Sequence, residues 1–216
     1  MPIAIPNRRQ GTTGGNPGCP TAFTDRALVG VVRSRPDRFV GGRVLCPPMT
    51  AGVPAHPRAE VQAVVDTYCE LRRRIEEGLE PNGFGALADL YTDDAVYVDA
   101  AWGRIEGKEA IAHWLEHSMV GLGDWRFPVE FTAIEGDDVV VKWTQVIPGR
   151  RPDGTPYTQS AYSRLRYAGA GKFSYEEDLY NMAHVLDDLA ESGWRPSEPM
   201  NVPPEHPDRN WSLPGT

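Results

Sequence analysis

The sequence has no apolar run that approaches the roughly 20 residues needed to span a lipid bilayer. Its N-terminus also lacks the apolar core of a secretory signal peptide. Hydrophobic residues make up 40% of the chain and charged residues 24%, as in an ordinary globular protein. We therefore expect a cytoplasmic protein with no membrane partner.

Positive charge and cysteine are also scarce. The formal net charge is −8, and no basic stripe occurs in the regularly patterned part, so a nucleic acid is not an expected partner. The three cysteines match no zinc motif, and their odd number argues against a disulfide framework. His113 and His117 have the i, i+4 spacing of a metal-binding pair, but no third ligand accompanies them. The sequence therefore predicts neither a metal nor a cofactor.

Sustained hydrophobic periodicity is absent from residues 1–56. Prolines and glycine pairs interrupt this segment, so it cannot bury enough apolar surface to offset its ordering entropy, and we expect it to be disordered. An alternative is that Met49 is the biological start and residues 1–48 are a spurious extension. Lysine is scarce against arginine, as in high-GC coding sequence, where such upstream reading frames are common. Residues 195–216 are rich in proline, and we expect an extended tail over the surface.

Residues 57–194 carry regular patterning and are predicted to form the folded domain. Helical spacing predicts helices over 57–78, 84–91, 108–119 and 182–192, and alternation predicts strands over 95–99, 126–134, 138–147, 157–167 and 172–181. Residues 103–107 are predicted to be a turn, and Arg72 is assigned with its neighbours to the solvated face of the first helix. Helices that precede an antiparallel meander indicate an α+β fold, in which one sheet wraps against three helices and leaves a pocket.

Two stretches carry a family resemblance. Residues 60–71, with Glu60-Val-Gln, Tyr68 and Glu70-Leu, look like the first helix of ketosteroid isomerases. Residues 90–99 (LYTDDAVYVD), followed by Gly103 and residues 106–111 (EGKEAI), look like the segment that defines the nuclear transport factor 2-like superfamily. Over about residues 58–182 the chain resembles the SnoaL-like, ketosteroid-isomerase-like branch of that superfamily. This resemblance implies a homodimer and a cone-shaped, curved antiparallel sheet packed on three N-terminal helices, enclosing a pocket.

Asp99 is the first candidate for a catalytic residue, because the resemblance places it at the position of the isomerase general base. It ends an alternating strand on the face of Tyr97, and Trp102 follows. A carboxyl that loses hydration among aromatic side chains has a raised pKa, which helps it to remove a proton next to a carbonyl. The alternative is an aspartate that only caps the turn after the strand.

Tyr68 is the second candidate, since by resemblance it matches the tyrosine that donates a hydrogen bond to the developing oxyanion. A core tyrosine whose hydroxyl bonds a neighbour is the alternative. The second acid of the isomerase oxyanion hole falls on Ser163 in this sequence. A hydroxyl is the weaker donor, so isomerisation of steroids by the usual route is not expected.

Asp178 is the third candidate, because residues 176–182 (EEDLYNM) look like the last-strand segment of limonene-epoxide-hydrolase relatives, with Asp178 on their catalytic aspartate. Glu176 and Tyr180 share its strand face by alternation. The alternative is a charged outer row with one inward, hydrogen-bonded acid. The Arg-x-Asp pair that completes the hydrolase site falls on residues 143–145 (WTQ), which argues against epoxide hydrolysis.

Aromatic residues are frequent for so small a domain, and a pocket lined by aromatic side chains suits a flat hydrophobic ligand. We assign substrate binding to Tyr97, Trp102, Trp114, Trp143, Gln145, Ser163 and Tyr180. The leading hypothesis is an enzyme that transfers protons in a small hydrophobic carbonyl compound such as a polyketide, steroid or terpenoid, by cyclisation, isomerisation or dehydration. In it Asp99 moves the proton, Tyr68 stabilises the oxyanion and Asp178 acts as a second acid or base. The alternative is a non-catalytic module of the same fold that binds a ligand or dimerises.

Overall fold

The computed structural model describes residues 55–215, all within the unit Pro48–Thr216. Their helices are α1 (Arg58–Glu76), a 3₁₀ helix (Gly83–Leu90), α2 (Lys108–Ser118) and α3 (Met182–Ser192). Their strands are β1 (Tyr91–Asp99), β2 (Gly103–Glu106), β3 (Val129–Glu135), β4 (Asp138–Arg150), β5 (Pro156–Gly169) and β6 (Lys172–Tyr180). The predictions made for residues 1–54, including the alternative start at Met49, lie outside the described residues.

The six strands form one sheet in the order β2-β1-β6-β5-β4-β3. Neighbouring strands run antiparallel, except that β1 and β6 pair in parallel. Parallel strands need a long connection between them, and here α2 and the β3–β5 meander supply it. The predicted α+β fold, with helices packed on a curved and unclosed sheet, is confirmed.

Two local predictions were wrong. Residues 103–106 were predicted as a turn, but they form the edge strand β2, with Gly103 paired to Asp99 across a tight hairpin. Arg72 was placed on the solvated face of α1, but its side chain is buried. The reason lies in the helical repeat, because Arg72 follows the buried Tyr68 by four residues and therefore shares its face.

The core lies between the helices and the inner face of the sheet. Alternate residues of β4 face it, so Val139 and Val141 are fully buried, whereas Val140 between them is exposed on the outer face. From the helices, Val61 and Ile111 pack into the same cluster. This arrangement turns the inner side chains of β1, β4, β5 and β6 toward α1 and α2.

The segment after α3 contains no helix or strand in residues 193–215. Gly193, whose φ of 68° lies in the left-handed region, ends α3. Downstream, the Asn201 side chain donates to the carbonyl of His117 at the end of α2, over 2.8 Å. The backbone N–H of Arg104 then donates to the carbonyl of Asp208, over 2.8 Å. The segment therefore runs along the open edge of β2, which would otherwise present unpaired backbone groups.

Candidate active site

A cavity of about 180 Å³ lies between the helices and the inner face of the sheet. It brings together the three predicted catalytic residues Tyr68, Asp99 and Asp178. The wall contains these predicted substrate-binding residues: Tyr97, Trp102, Trp114, Trp143, Gln145 and Tyr180. Ser163 contributes from behind the wall, through hydrogen bonds to Asp178 and Trp143.

Asp99 is buried at the end of β1 and has two structural roles. Its Oδ1 atom accepts hydrogen bonds from the backbone N–H groups of Ala101 and Trp102, over 2.7 and 2.8 Å, and so caps the hairpin turn. The Tyr180 hydroxyl lies 3.0 Å from Oδ1 and 3.1 Å from Oδ2. Burial raises the pKa of Asp99, although the backbone hydrogen bonds oppose this effect. Asp99 therefore caps the turn after β1, as the alternative interpretation predicted, and also has the raised pKa expected of a general base.

Asp178 lies on the inner face of β6 with both carboxyl oxygens occupied. Tyr97 donates to its Oδ2 atom over 2.7 Å, and the Ser163 hydroxyl donates to its Oδ1 atom. The indole N–H of Trp143 donates to the Ser163 oxygen over 3.0 Å, which holds that hydroxyl toward Asp178. Burial, and the nearby carboxyls of Glu176 and Asp99, raise the pKa of Asp178 well above its ordinary value. Asp178 therefore retains a proton to a higher pH than an exposed aspartate does.

Glu176 is the deepest acid and was not predicted as a site residue. It is fully buried and accepts hydrogen bonds from the hydroxyls of Tyr68, over 2.8 Å, and Tyr91. The Tyr97 hydroxyl, which donates to Asp178, lies 3.3 Å from Oε1 of Glu176. Burial raises the pKa of Glu176, whereas the bonds from Tyr91 and Tyr68 oppose the rise. The alternative interpretation had a charged outer row with only one inward acid on β6. The structure shows that Glu176 points inward as well as Asp178.

Tyr68 is fully buried, and its hydroxyl is already engaged. It donates to Glu176, and it accepts a hydrogen bond from Nη1 of Arg72 over 3.2 Å. Arg72 also donates through Nη2 to the carbonyl of Phe127, over 3.2 Å, and its guanidinium carbon lies 5.1 Å from the centre of the Trp143 ring. The oxyanion role predicted for Tyr68 remains a prediction, since its proton points to Glu176.

Sequence reasoning missed Arg72, Glu176 and the tail residues that line the cavity. Arg72 was detectable from its spacing of four residues after Tyr68, and Glu176 from its alternation with Asp178. Met200 and Asn201 had no such signal, because the segment that carries them lacks periodicity. An arginine does reach the cavity, but it comes from α1 and not from the strand position where the hydrolase pattern places it.

The described residues contain no group of three or more His, Cys, Asp or Glu side chains arranged to hold a metal ion. His113 and His117 stack on each other with ring centres 3.7 Å apart, and Nδ1 of His117 lies 2.7 Å from the carbonyl oxygen of His113. Between residues 55 and 215, no helix is long and apolar enough to cross a membrane.

Residues 71–175 match the family model of the SnoaL-like domain. The resemblance inferred from the sequence is thereby confirmed. No curated protein sequence matches the chain.

Solved structures of similar fold include a protein from Jannaschia sp. CCS1 that is provisionally named a SnoaL-like polyketide cyclase. It has 16% sequence identity and a TM-score of 0.48, and the match covers 63% of this chain and 94% of that one. Another is a hypothetical protein with a ketosteroid isomerase-like fold from Catenulispora acidiphila DSM 44928. It has 24% identity and a TM-score of 0.44, with coverage of 62% and 97%.

Proposed function

Because residues 71–175 carry a SnoaL-like domain, we propose that this protein is an enzyme that moves a proton within a small, flat carbonyl compound. The observation that carries the proposal is that two acids in different environments, Asp99 and Asp178, line one cavity. Pairs of titratable groups with separated pKa values are typical of acid/base sites. Isomerisation, dehydration and intramolecular aldol cyclisation all begin with the same proton removal next to a carbonyl.

Asp99 is the base in this proposal. Its Oδ1 atom is held by two backbone N–H groups, whereas among residues 55–215 Oδ2 faces only the Tyr180 hydroxyl and keeps a lone pair for the substrate. The raised pKa of Asp99 brings its basicity closer to that needed at neutral pH. The proton passes from the substrate carbon to Oδ2, and the electron pair moves onto the carbonyl oxygen.

Asp178 is the acid that returns a proton. Burial and the neighbouring Glu176 and Asp99 carboxyls all raise its pKa, which favours the protonated form. Ser163 and Tyr97 hold the carboxyl in a fixed orientation. Tyr68 serves as a donor to the substrate oxygen only if its hydroxyl turns away from Glu176, so we assign it a supporting role.

The cavity volume limits the substrate. Pockets for drug-sized ligands measure about 300–1,000 Å³, and a cavity of about 150 Å³ takes up one benzene ring. At about 180 Å³ the cavity is nearer to the smaller size. We therefore propose a substrate of one or two rings, which is the small end of the polyketide and terpenoid range.

Exchange of carbon-bound hydrogen tests this proposal. We expect the protein to accelerate deuterium incorporation next to the carbonyl of β-tetralone, a two-ring ketone, when the reaction is followed by NMR in deuterium oxide. Asp99→Asn should remove the acceleration, because general-base catalysis contributes about 10²–10⁴-fold. Asp153→Asn, in the exposed turn between β4 and β5, is the matched control and should exchange as the parent does.

The competing function is a binding module of the same fold. It is favoured if β-tetralone binds, as measured by tryptophan fluorescence, while exchange stays at the rate of buffer alone. Equal exchange by the parent and Asp99→Asn would reject Asp99 as the base.

We further propose that the protein forms a homodimer through the outer face of its sheet. Besides Val140, the larger apolar side chains of Phe131 on β3, Tyr162 on β5 and Leu179 on β6 are exposed there. The pairing register places them in one row across the sheet, with Lys142 of β4 between Phe131 and Tyr162. Exposed apolar side chains grouped on one face are typical of an interaction site.

A further inference from the structure

Arg72 is a buried cation without a direct counter-charge. Its side chain is 5% exposed. No carboxylate among residues 55–215 lies within ion-pair distance of it, since its Nη1 and Nη2 atoms contact a tyrosine hydroxyl and a backbone carbonyl. A guanidinium stays protonated at all ordinary pH values, and burying one without a partner is costly. Glu176 and Asp178 favour the cation without bonding to it, so the guanidinium has no directly bonded counter-ion among the described residues of the cavity wall. The arrangement suggests that the counter-charge comes from what enters the cavity.

Polar hydrogen atoms without acceptors lie in the same cavity wall. Within the described part of the chain, Nε of Arg72 and the indole nitrogens of Trp114 and Trp125 are buried and have no hydrogen-bond partner. All three side chains line the cavity, as does Gln145, whose buried amide oxygen also has no partner in residues 55–215. Buried donors are satisfied in the great majority of cases, so each unpaired one points to an interaction that the protein alone does not supply.

Phe127 connects Arg72 and Trp125. Its carbonyl accepts the hydrogen bond from Nη2 of Arg72, and its ring stacks on Trp125 with 6.1 Å between the ring centres. Both donors are more than nine-tenths buried. Arg72 and Trp125 therefore meet at Phe127, and together they add a full positive charge and two unpaired N–H groups to a cavity wall that also holds the Asp99 carboxyl.

We propose that Arg72 and Trp125 form a subsite for an anionic oxygen of the ligand, so that the ligand is a small flat compound with an enolate, phenolate or carboxylate group. The inference deepens the proposed function and rests on it for the use of this cavity. In the proposed reaction, the electron pair released by proton removal moves onto an oxygen held at this subsite. Such donors stabilise the anion most strongly because they are fixed before the charge develops.

The buried acids do not cancel this subsite. Tyrosine hydroxyls donate to Glu176 and so disperse its charge. The pKa of Asp178 is raised well above its ordinary value by burial and neighbouring carboxyls, which keeps its proton in place to a higher pH. The cation of Arg72 therefore remains available to a ligand.

Binding of para-nitrophenol, a one-ring acid whose anion is yellow, tests the subsite without requiring any reaction. In an absorbance and calorimetric titration, we expect the anion to bind more tightly than its neutral methyl ether, para-nitroanisole. The bound phenol should therefore ionise at a lower pH than the free one. Arg72→Met should weaken anion binding by about ten- to a hundredfold, the effect of losing a hydrogen bond to a charged group, and should leave para-nitroanisole binding unchanged. The control Arg74→Met, on the exposed side of α1, should match the parent.

Trp125→Phe provides a second test that does not remove a buried charge. The change deletes an N–H that bonds nothing in the described protein, so the melting temperature of the variant should fall by only a few degrees. Anion binding by the variant should weaken by up to about tenfold. Equal affinity for anion and anisole in the parent, or anion binding unaffected by both substitutions, would overturn the subsite. If Arg72→Met fails to fold, the subsite is tested by the parent's preference for the anion over para-nitroanisole and by the anion affinity of Trp125→Phe. Anion binding with no deuterium exchange would keep the subsite and reject the enzyme.

Discussion

At the residue scale, Asp99 caps the turn after β1 and is also the proposed general base. One substitution cannot separate these roles, but a comparison of two substitutions can. Asp99→Asn keeps an oxygen for the N–H groups of Ala101 and Trp102 but abolishes the base. Asp99→Ala abolishes both. We expect both variants to lose exchange activity by about 10²–10⁴-fold, as general bases contribute. Only Asp99→Ala should lose stability, by about 1 kcal/mol, comparable to the loss of a capping side chain.

Deuterium exchange and thermal unfolding, measured on both variants, check this prediction. A stability loss shared equally by the asparagine and alanine variants would mean that the charge of Asp99, and not its cap, stabilises the turn. Unchanged exchange in Asp99→Asn would restrict Asp99 to the structural role.

Asp178 should make stability depend on pH. Because its pKa is raised in the folded state, the native protein binds a proton that the unfolded chain has already released above about pH 4, the ordinary value for aspartate. Stability from this group is therefore complete at lower pH and decreases as pH rises through the window between the ordinary and the raised pKa.

Asp178→Asn has no such proton, so its melting temperature relative to the parent should rise steadily as pH increases from 4. Differential scanning fluorimetry over a pH series measures the difference. Asp153→Asn is the control, since hydrogen bonds from Thr155 lower the pKa of Asp153 and exclude the same trend. A melting-temperature difference that is flat with pH would show that Asp178 is not desolvated in the native protein.

At the scale of elements, the C-terminal segment is part of the domain's stability, because it pairs with β2 and lines the cavity. At Gly103, β2 approaches the C-terminal segment closely. The φ of this glycine is +82°, and an added Cβ atom would lie 2.4 Å from the carbonyl oxygen of Asp208. Gly154, in the turn between β4 and β5, has a similar φ of +86° with nothing within 4 Å.

We therefore expect Gly103→Ala to destabilise the protein by more than Gly154→Ala does. Both substitutions pay about 1–2 kcal/mol for a left-handed backbone, and Gly103→Ala adds about 1–3 kcal/mol for displacing the tail. Urea denaturation of the two variants measures the difference. Equal losses would show that the segment yields freely and is not anchored on β2.

At the scale of the whole molecule, the exposed row on the outer sheet face predicts a dimer. Leu179→Lys should convert the protein to a monomer at micromolar concentration, because the charge would be buried unpaired in the interface. Size-exclusion chromatography with light scattering gives the mass. Leu186→Lys, at an exposed apolar position on α3, is the control and should remain a dimer. A parent protein that elutes as a clean monomer rejects the interface.

A chain that starts at Met49 should melt at nearly the same temperature as the full chain. Residues 1–48 have no core-forming pattern in the sequence, so their removal should cost little. Calorimetry on the two forms decides. A drop of many degrees would mean that the pattern was misread.

Sequence patterns predicted the order of the elements apart from β2, because helical and strand periodicities are local properties that burial of one face imposes. The alternation of residues 172–180 and the spacing along α1 indicated most of the side chains that face inward, although Arg72 was assigned to the wrong face. Asp99, Tyr68 and Asp178 were chosen by resemblance to known families, and the local patterns indicated that they face inward. The structure places all three on one cavity.

Only the tertiary structure decided what surrounds those residues. Three features depend on contacts between distant segments: the parallel pairing of β1 with β6, the hydrogen bond from Tyr68 to Glu176, and the lining of the cavity by Met200, Asn201 and Pro203. Arg72 shows the difference most clearly. Its spacing places it beside Tyr68, but a cation is normally solvated, and only the packing of α1 against Phe127 and Trp143 turns it into the charged end of a buried cavity.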